Sequence, residues 1–363
     1  MSLPLTIFLT TIALGLTFYA LNRVTDEYFV QSLEILSTRM RMTSDIAGAS
    51  LMAMGSSAPE LFTSLLALVK GMDLADLGAG TIVGSAIFNV LVIVGASALF
   101  GTAILNWQPA VRDMVFYLFT IILLYFVFSD GVITLGESFF LVIFYFVYLA
   151  VLPVWRRIFP YEDQAENEAQ VSIEEELGTV ESTAWYWWWA IPIDRFFEMV
   201  MPDLNRKPQY YLLVFFMSIF FIGALSWILV EAGVILASEL GVPPAIIGLT
   251  VLAVGTSVPD LLSSLIVARQ GKPDMAVSNA VGSNIFDILV GLGAVWMIMI
   301  MVRGEEIHIG QENLNSSIAL LLASVAALFF ILITQKWQLG RRSGIVLVTL
   351  YGLYLSAAIA GWV

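Results

Sequence analysis

The stretch GSSAPELFTSLLAL (residues 55–68) returns 200 residues later as GTSVPDLLSSLIVA (residues 255–268). In each copy a carboxylate, Glu60 or Asp260, directly follows a proline inside an apolar run. A buried carboxylate is costly, and a proline in a helix removes a backbone donor. We therefore expect each copy to be an irregular helix whose acid serves a function.

Composition places these stretches in a membrane protein. The chain has 363 residues, of which 59% are apolar and only 12% are charged. Charge-free runs of about 20 apolar residues, the length of a membrane span, recur along it. There is no cysteine and one histidine, His308, so the sequence excludes disulfides, thiolate metal sites and histidine-based metal sites. Residues 2–22 lack a preceding positive charge, and we expect them to be a retained first helix rather than a signal peptide.

The fold class that this pattern predicts is an all-α polytopic membrane protein with ten transmembrane helices. A first five-helix unit occupies residues 1–154, a connector occupies 155–208, and a second five-helix unit occupies 209–363. The predicted helices lie near 3–22, 44–69, 77–101, 113–129, 136–154, 209–230, 243–268, 275–302, 315–334 and 343–362.

Basic residues orient these helices. The loops after the first, third, fifth, seventh and ninth helices hold 14 lysines and arginines, and the other loops hold two, Lys70 and Arg303. This bias predicts that the connector is cytoplasmic and both termini are outside. Eight acids fall within Glu162–Glu181, before the aromatic run WYWWW, so we expect a solvated connector whose aromatic end lies on the membrane surface. The expected location is the plasma or inner membrane of the cell.

An internal repeat extends beyond the two opening stretches. Residues 48–68 and 248–268 are identical at 8 of 21 positions, and residues 80–95 and 278–293 at 8 of 16. Because each unit has an odd number of helices, the second copy would enter the membrane from the opposite side. The sequence therefore predicts an inverted repeat, a transporter design with its binding residues near the midplane.

The repeated polar residues predict a site made of oxygens. Spacings of three and four place them on shared helix faces. They are Ser57, Glu60 and Ser64; Ser257, Asp260 and Ser264; Ser85 with Asn89; and Ser283 with Asp287. Oxygen ligands without nitrogen or sulfur suit hard cations such as calcium, sodium and potassium.

The prolines contribute to the same prediction. Pro59 and Pro259 should break their helices and free the carbonyls of Gly55 and Gly255 as further ion ligands. Close helix packing explains the nearby glycines Gly80, Gly84 and Gly282 at least as well as a functional role does.

At these motifs, GSSAPELFTSL…GSAIFN and GTSVPDLLSSL…GSNIFD, the chain resembles the cation/calcium exchanger superfamily. The similarity is greatest to the potassium-dependent sodium/calcium exchanger branch. It implies alternating access in a ten-helix fold, with sodium entry driving calcium export. It also implies that Glu60 and Asp260 bridge calcium and that Asp287 is linked to potassium. The residues implied to bind sodium or complete the shell are Ser56, Ser57, Ser85, Asn89, Thr256, Ser257 and Ser283.

Two other functions remain open: a cation/proton antiporter for calcium, with Glu60 or Asp260 carrying protons, and a calcium-permeable channel. No nucleophile is paired with a base, so we do not expect an enzyme. The expected partners are inorganic cations and the lipid bilayer, without nucleic acid or a cofactor, and the expected functional state is a monomer.

Overall fold

The computed structural model describes residues 3–40, 53–100, 102–160, 190–269 and 273–359, and most of them are helical. In the first half, α1 (residues 3–39) joins Leu3–Val24, a π-helical turn Thr25–Val30, and Gln31–Arg39. The others are α2 (Ala53–Ser56 and Ala58–Lys70), α3 (Ala75–Phe88, a π-helical turn Asn89–Ile93, and Val94–Phe100), α4 (Trp107–Val127) and α5 (Leu135–Ile158).

In the second half, a short helix precedes five longer ones. They are α6 (Ile191–Val200), α7 (Tyr211–Leu240), α8 (Pro244–Ile247, a π-helical turn Gly248–Leu252, and Ala253–Arg269), α9 (Pro273–Phe286, a π-helical turn Asp287–Leu292, and Gly293–Arg303), α10 (Gln311–Thr334) and α11 (Arg341–Ile359).

Each predicted helix overlaps one of these helices, but the boundaries differ. The helix expected to end at residue 22 runs to Arg39, and the one expected to end at residue 230 runs to Leu240. The charged residues beyond the predicted helix ends, which the sequence assigned to loops, form ion pairs on these extensions. Arg23 pairs with Glu27, and Glu231 of α7 pairs with Lys70 of α2. Ion pairing lowers the free-energy cost of a charge within a long apolar helix. A hydropathy prediction does not include this pairing, so it ends the helices too early.

Seven helical segments of the described chain are long and apolar enough to cross a membrane. They are Pro4–Leu33, Met72–Leu99, Trp107–Val127, Leu135–Ile158, Pro208–Leu240, Asn279–Arg303 and Leu314–Thr334. The shorter segment Pro244–Val258 is also apolar. The predicted start of the second helix (44–52), the acidic run and the aromatic run lie outside the described residues.

Two hydrophobic clusters divide the interior. The larger is built mainly from α3, α4, α5, α9, α10 and α11, and the smaller from α1, α6 and α7. Both α2 and α8 contribute to each cluster: Leu68 and Leu249 belong to the larger one, and Ala67 and Leu252 belong to the smaller one. The helices that carry the repeated acids therefore lie on the boundary between the two clusters.

The short helix α6 attaches the connector to the smaller cluster. Tyr19 of α1 donates a hydrogen bond to Asp194 at 2.9 Å, and Arg23 of α1 pairs with the same carboxylate at 3.2 Å. Phe197 is buried with its ring 5.4 Å from that of Phe221 in α7. These contacts hold α6 against both α1 and α7.

Two small antiparallel sheets tie loops together. Strand β1 (Ala103–Ile104) pairs with β4 (Gln338–Leu339), and β2 (Val132–Ile133) pairs with β3 (Ile307–His308). Each sheet joins one loop of the first half to one loop of the second half.

Close helix contact accounts for two of the glycines near the motifs. A Cβ atom on Gly80 would lie 2.7 Å from the Ala245 carbonyl oxygen, and one on Gly84 would collide with the Leu249 carbonyl. Helices α3 and α8 therefore cross with their backbones in contact. Gly282, the counterpart of Gly84, has nothing within 4 Å of that position, so this contact does not explain it.

Candidate cation site

The first motif folds as an interrupted helix. Residues Ala53–Ser56 form one turn, Ser57 departs from helical geometry with φ −89° and ψ 3°, and a new helix begins at Ala58. Pro59 lies in the first turn of that helix, where its missing N–H costs no helical hydrogen bond. Glu60 follows in the same turn and is only 1% exposed. The break predicted beside Pro59 is therefore present.

The second motif differs in its backbone. The helical segment Ala253–Arg269 runs through Pro259 without interruption, which corrects the prediction of a break there. The irregular part of α8 is the π-helical turn Gly248–Leu252, which ends before the motif begins. Within a helix, proline costs one hydrogen bond, and the surrounding packing can accommodate that loss.

Glu60 connects three helices. The Ser85 Oγ of α3 and the Ser257 Oγ of α8 each donate to the Glu60 Oε1 at 3.3 Å. The two serine oxygens lie 2.8 Å apart. The Glu60 Oε2 is buried and has no hydrogen-bond partner in the described part of the chain. Residues predicted from separate copies of the repeat thus converge on one carboxylate.

A second group of contacts fixes the orientation of Asn89. Its Nδ2 donates to the Oδ1 of Asn284 at 2.9 Å, and the Asn284 Nδ2 donates to the Tyr117 hydroxyl at 2.8 Å and the Ala86 carbonyl at 3.2 Å. The Asn89 Oδ1 is buried without a hydrogen-bond partner among the described residues. Since its amide nitrogen is committed to Asn284, Asn89 presents its oxygen as a free acceptor.

Asn284 and Tyr117 were missed by sequence reasoning. Asn284 is fully buried and lies three residues before Asp287, in the motif GSNIFD, where the first copy has Ala86 in GSAIFN. An asparagine in place of alanine, within an otherwise similar apolar block, could have indicated that this residue has a polar partner. Tyr117 belongs to α4, outside the repeated blocks, and the sequence offered no comparable indication for it.

The three carboxylates lie within Coulombic range of one another. Asp260 interacts electrostatically with Glu60, and Asp287 interacts with both. Asp287 is 1% exposed and Asp260 is 7% exposed. The Ser57 hydroxyl lies beside Asp287 but outside hydrogen-bond geometry.

Carboxylates alone do not complete a site. Among the described residues, no three acidic or histidine side chains are grouped so that they could hold one metal ion. Hydroxyl, amide or backbone oxygens would have to supply the remaining ligands. The buried oxygens without a hydrogen-bond partner in the described chain include Ser57 Oγ, Glu60 Oε2, Thr63 Oγ1, Ser64 Oγ, Asn89 Oδ1 and Asp287 Oδ1. Such unpaired buried groups are unusual in folded proteins, and a bound cation would satisfy them.

Three other predicted hydroxyls bond to their own helices. Ser56 donates to the Ala53 carbonyl at 3.4 Å, Thr256 to the Leu252 carbonyl at 3.0 Å, and Ser283 to the Ala280 carbonyl at 3.4 Å. Hydroxyls in membrane helices commonly bond in this way. Their oxygen lone pairs remain available, so these contacts are compatible with cation binding without indicating it.

Helix α1 packs against the start of both motifs. A Cβ atom on Gly55 would lie 3.0 Å from Leu33 and 3.3 Å from Val30, and one on Gly255 would collide with the ring of Phe18. Close approach to α1 is therefore a reason for glycine at these positions, separate from the predicted role of their carbonyls.

The chain matches known proteins over nearly its full length. A family profile described as "Sodium/calcium exchanger protein" covers residues 8–153 and 210–360. Human sodium/potassium/calcium exchanger 5 is 32% identical, with 92% of this chain and 79% of the relative aligned. Human sodium/potassium/calcium exchanger 3 is 28% identical, with 94% of this chain and 79% of the relative aligned. A structure of the sodium–calcium exchanger NCX_Mj soaked with Na⁺ and Sr²⁺ has the same fold, with a TM-score of 0.58, 21% identity, and 97% and 99% of the two chains covered.

Proposed function

The chain belongs to the sodium/calcium exchanger family, and on that premise we propose that it is a secondary antiporter that exchanges sodium for calcium across a membrane. This membership agrees with the resemblance that the two motifs indicate. The names of the relatives aligned above include potassium, so potassium co-transport is part of the proposal.

The observation that carries this proposal is the junction of Glu60, Ser85 and Ser257. The Glu60 Oε1 receives two long hydrogen bonds of 3.3 Å, and its buried Oε2 has no hydrogen-bond partner in the described part of the chain, so this carboxylate is poorly stabilised in an apolar interior. A hard cation placed against the free Glu60 Oε2 would neutralise this charge and would be attracted by Asp260.

In the proposed site, Glu60 and Asp260 bind calcium from opposite motifs. The oxygens that would complete the calcium shell or bind sodium are those of Ser56, Ser57, Ser85, Asn89, Thr256, Ser257 and Ser283, with the carbonyls of Gly55 and Gly255. Asn89 is the best supported of these, because Asn284 holds its amide nitrogen and leaves its oxygen unpaired.

Asp287 would balance an additional monovalent cation. Its counterpart in the first motif is the neutral Asn89, so the second half carries one more charge than the first. Three ionised carboxylates balance one calcium and one potassium, or three sodium ions. A loaded, neutral site could cross the low-dielectric interior, whereas an empty site with three negative charges should not. This charge balance would make exchange obligatory.

The proposed architecture is ten transmembrane helices in two inverted five-helix repeats, 1–154 and 209–363, joined by the connector 155–208. The two small sheets support it. If the two halves are equivalent, the α3–α4 loop corresponds to the α9–α10 loop, and the α4–α5 loop corresponds to the α10–α11 loop. Strand β1 then corresponds to β3, and β4 corresponds to β2. The pair β1·β4 is therefore equivalent to the pair β3·β2. The π-helical turns beginning at Asn89 and Asp287 are 198 residues apart, the offset of the repeated block.

Alternating access would involve movement between the two hydrophobic clusters. Helices α2 and α8, which carry Glu60 and Asp260, contribute to both clusters. Sliding of the cluster built from α1, α6 and α7 past the remaining helices would expose the carboxylates first to one side and then to the other. In this arrangement both termini are outside, the connector is cytoplasmic, and one chain in the plasma or inner membrane is sufficient for transport.

Calcium flux into vesicles that contain the purified protein would test the proposal. Sodium, potassium and proton gradients should be varied one at a time. We expect calcium uptake only when sodium is present on the opposite side. Uptake driven by protons alone would indicate a cation/proton antiporter, and uptake without any counter-ion would indicate a channel.

A further inference from the structure

Helix α1 contains a carboxylate that the proposed site does not use. Asp26 lies in the π-helical turn Thr25–Val30, within the candidate span Pro4–Leu33. Its side chain is partly buried and makes no hydrogen bond or ion pair with the described part of the chain. Its neighbour Glu27, by contrast, pairs with Arg23. An uncompensated acid within a membrane helix is costly, and such residues commonly have a function.

The position of Asp26 associates it with the cation site. Asp26 lies within Coulombic range of Asp260. On the same turn, Thr25 is fully buried and its Oγ1 has no hydrogen-bond partner among the described residues. The helix that carries both residues packs directly on the two motifs, since Val30 contacts Gly55 and Phe18 contacts Gly255. Asp26 and the unsatisfied Thr25 Oγ1 therefore lie on the helix that packs against the start of both motifs.

The second half has a neutral counterpart at this position. Glu60 and Asp260 are equivalent positions 200 residues apart. The same offset makes Ser226 of α7 the counterpart of Asp26. Ser226 is also fully buried, and its Oγ has no hydrogen-bond partner in the described chain. It lies one turn beyond Gly223, where a Cβ atom would be 3.6 Å from the Phe62 ring of α2. The two positions thus differ in charge, and an unsatisfied buried hydroxyl is present at Ser226 and next to Asp26, at Thr25.

We propose that Asp26 is a fourth carboxylate of the transport path, one that holds a calcium ion at one mouth of the site before the ion reaches Asp260. Ser226 occupies the equivalent place at the opposite mouth and lacks the charge. This inference rests on the proposed exchange function and on the inverted arrangement of the halves. A negative group beside the path raises the local concentration of cations, so calcium should bind more readily from the Asp26 side.

The test measures half-saturating calcium for sodium-driven uptake in membrane vesicles of both orientations. For Asp26→Asn we expect an increase of about threefold or more from one face only, with a small change from the other face. Glu27→Gln, which removes the same charge from the adjacent residue, should leave both values unchanged. Asp26→Glu keeps the charge and should retain wild-type values. Ser226→Asp should lower half-saturating calcium from the opposite face.

The outcomes separate this inference from the exchange function. Wild-type vesicles without sodium-driven uptake would overturn the exchange function together with the inference built on it. Normal wild-type uptake with unchanged values in Asp26→Asn would overturn the inference alone. Equal increases from both faces would assign Asp26 to the central site and would also overturn it. If Asp26→Asn fails to fold, Ser226→Asp still tests the proposal. An unchanged half-saturating calcium concentration at the opposite face would contradict it.

Discussion

The Oγ atoms of Ser85 and Ser257 lie 2.8 Å apart, within hydrogen-bond distance, although the residues are 172 positions apart in the chain. Both hydroxyls also donate to the Glu60 Oε1. The two hydroxyls supply one proton each for three oxygen–oxygen contacts, so only two of these contacts are hydrogen bonds at any moment, and a cation that approached Glu60 would reorganise all three contacts together. This coupling makes the residues around Glu60 the first targets for mutation.

Neutralising either paired acid should abolish calcium exchange. Glu60→Gln and Asp260→Asn keep the side-chain size but remove one charge from the proposed calcium site. We expect a loss of a few kcal/mol in calcium binding, where about 1.4 kcal/mol corresponds to tenfold in affinity. Vesicle flux and calcium titration would measure the effect, with the exposed loop substitution Glu305→Gln as the control. Near-normal calcium affinity in either site variant would locate the site elsewhere.

Asn284→Ala should weaken cation binding through Asn89. The substitution removes the acceptor of the Asn89 amide and leaves buried polar groups unpaired, at a cost of about 1–3 kcal/mol. Asn89 could then rotate and lose its fixed oxygen. Tyr117→Phe removes only one acceptor of the Asn284 amide and should have a smaller effect. A loss of thermal stability in Asn284→Ala without any change in apparent cation affinity would limit its role to packing.

Asp287→Asn should make calcium transport independent of potassium while sodium still drives it. The substitution gives the second half the neutral side chain found at Asn89 and removes one negative charge from the site. Calcium flux should be measured with and without potassium in both proteins. If wild-type flux already ignores potassium, the charge-balance argument fails. If the wild type and the variant both need potassium, this ion binds at another place.

The two equivalent glycines Gly84 and Gly282 should respond differently to alanine. In Gly84→Ala the new methyl group meets the Leu249 carbonyl and the Ala253 side chain, and overpacking of this kind costs about 1–3 kcal/mol. Gly282→Ala meets open space and should be neutral or slightly stabilising. Thermal unfolding in detergent would compare them. Equal melting temperatures would contradict the close crossing of α3 and α8.

Cysteine labelling can test the topology because the native chain contains no cysteine. Arg206→Cys lies in the connector, Glu305→Cys lies in the loop before β3, and both positions are exposed. The distribution of basic residues predicts that an impermeant thiol reagent labels them from opposite sides of the membrane. Labelling from the same side would reject the inverted arrangement of the two halves.

Because the motifs are long and repeated, the sequence could predict which polar residues lie close together. It located Glu60 with Ser85 and Ser257, which the structure brings together. It could not predict the uninterrupted helix at Pro259, since the packing around a proline decides whether a helix breaks. The π-helical turn with Asp26 was also inaccessible, because hydropathy and charge placed residue 26 in a loop. Both errors concern backbone geometry that depends on neighbouring helices rather than on local composition.

The separation of Glu60 from its partner Ser257 has a consequence for biosynthesis. Ser257 follows Glu60 by 197 residues, and Asn284 follows Asn89 by 195 residues. While the chain is being synthesised, the first half must therefore enter the membrane before these partners exist. Glu60 and Asn89 then need water, lipid head groups or an insertion factor to satisfy them. A ribosome stalled after residue 154 should hold a first half whose α2 and α3 are less protected from solvent exchange than in the finished protein.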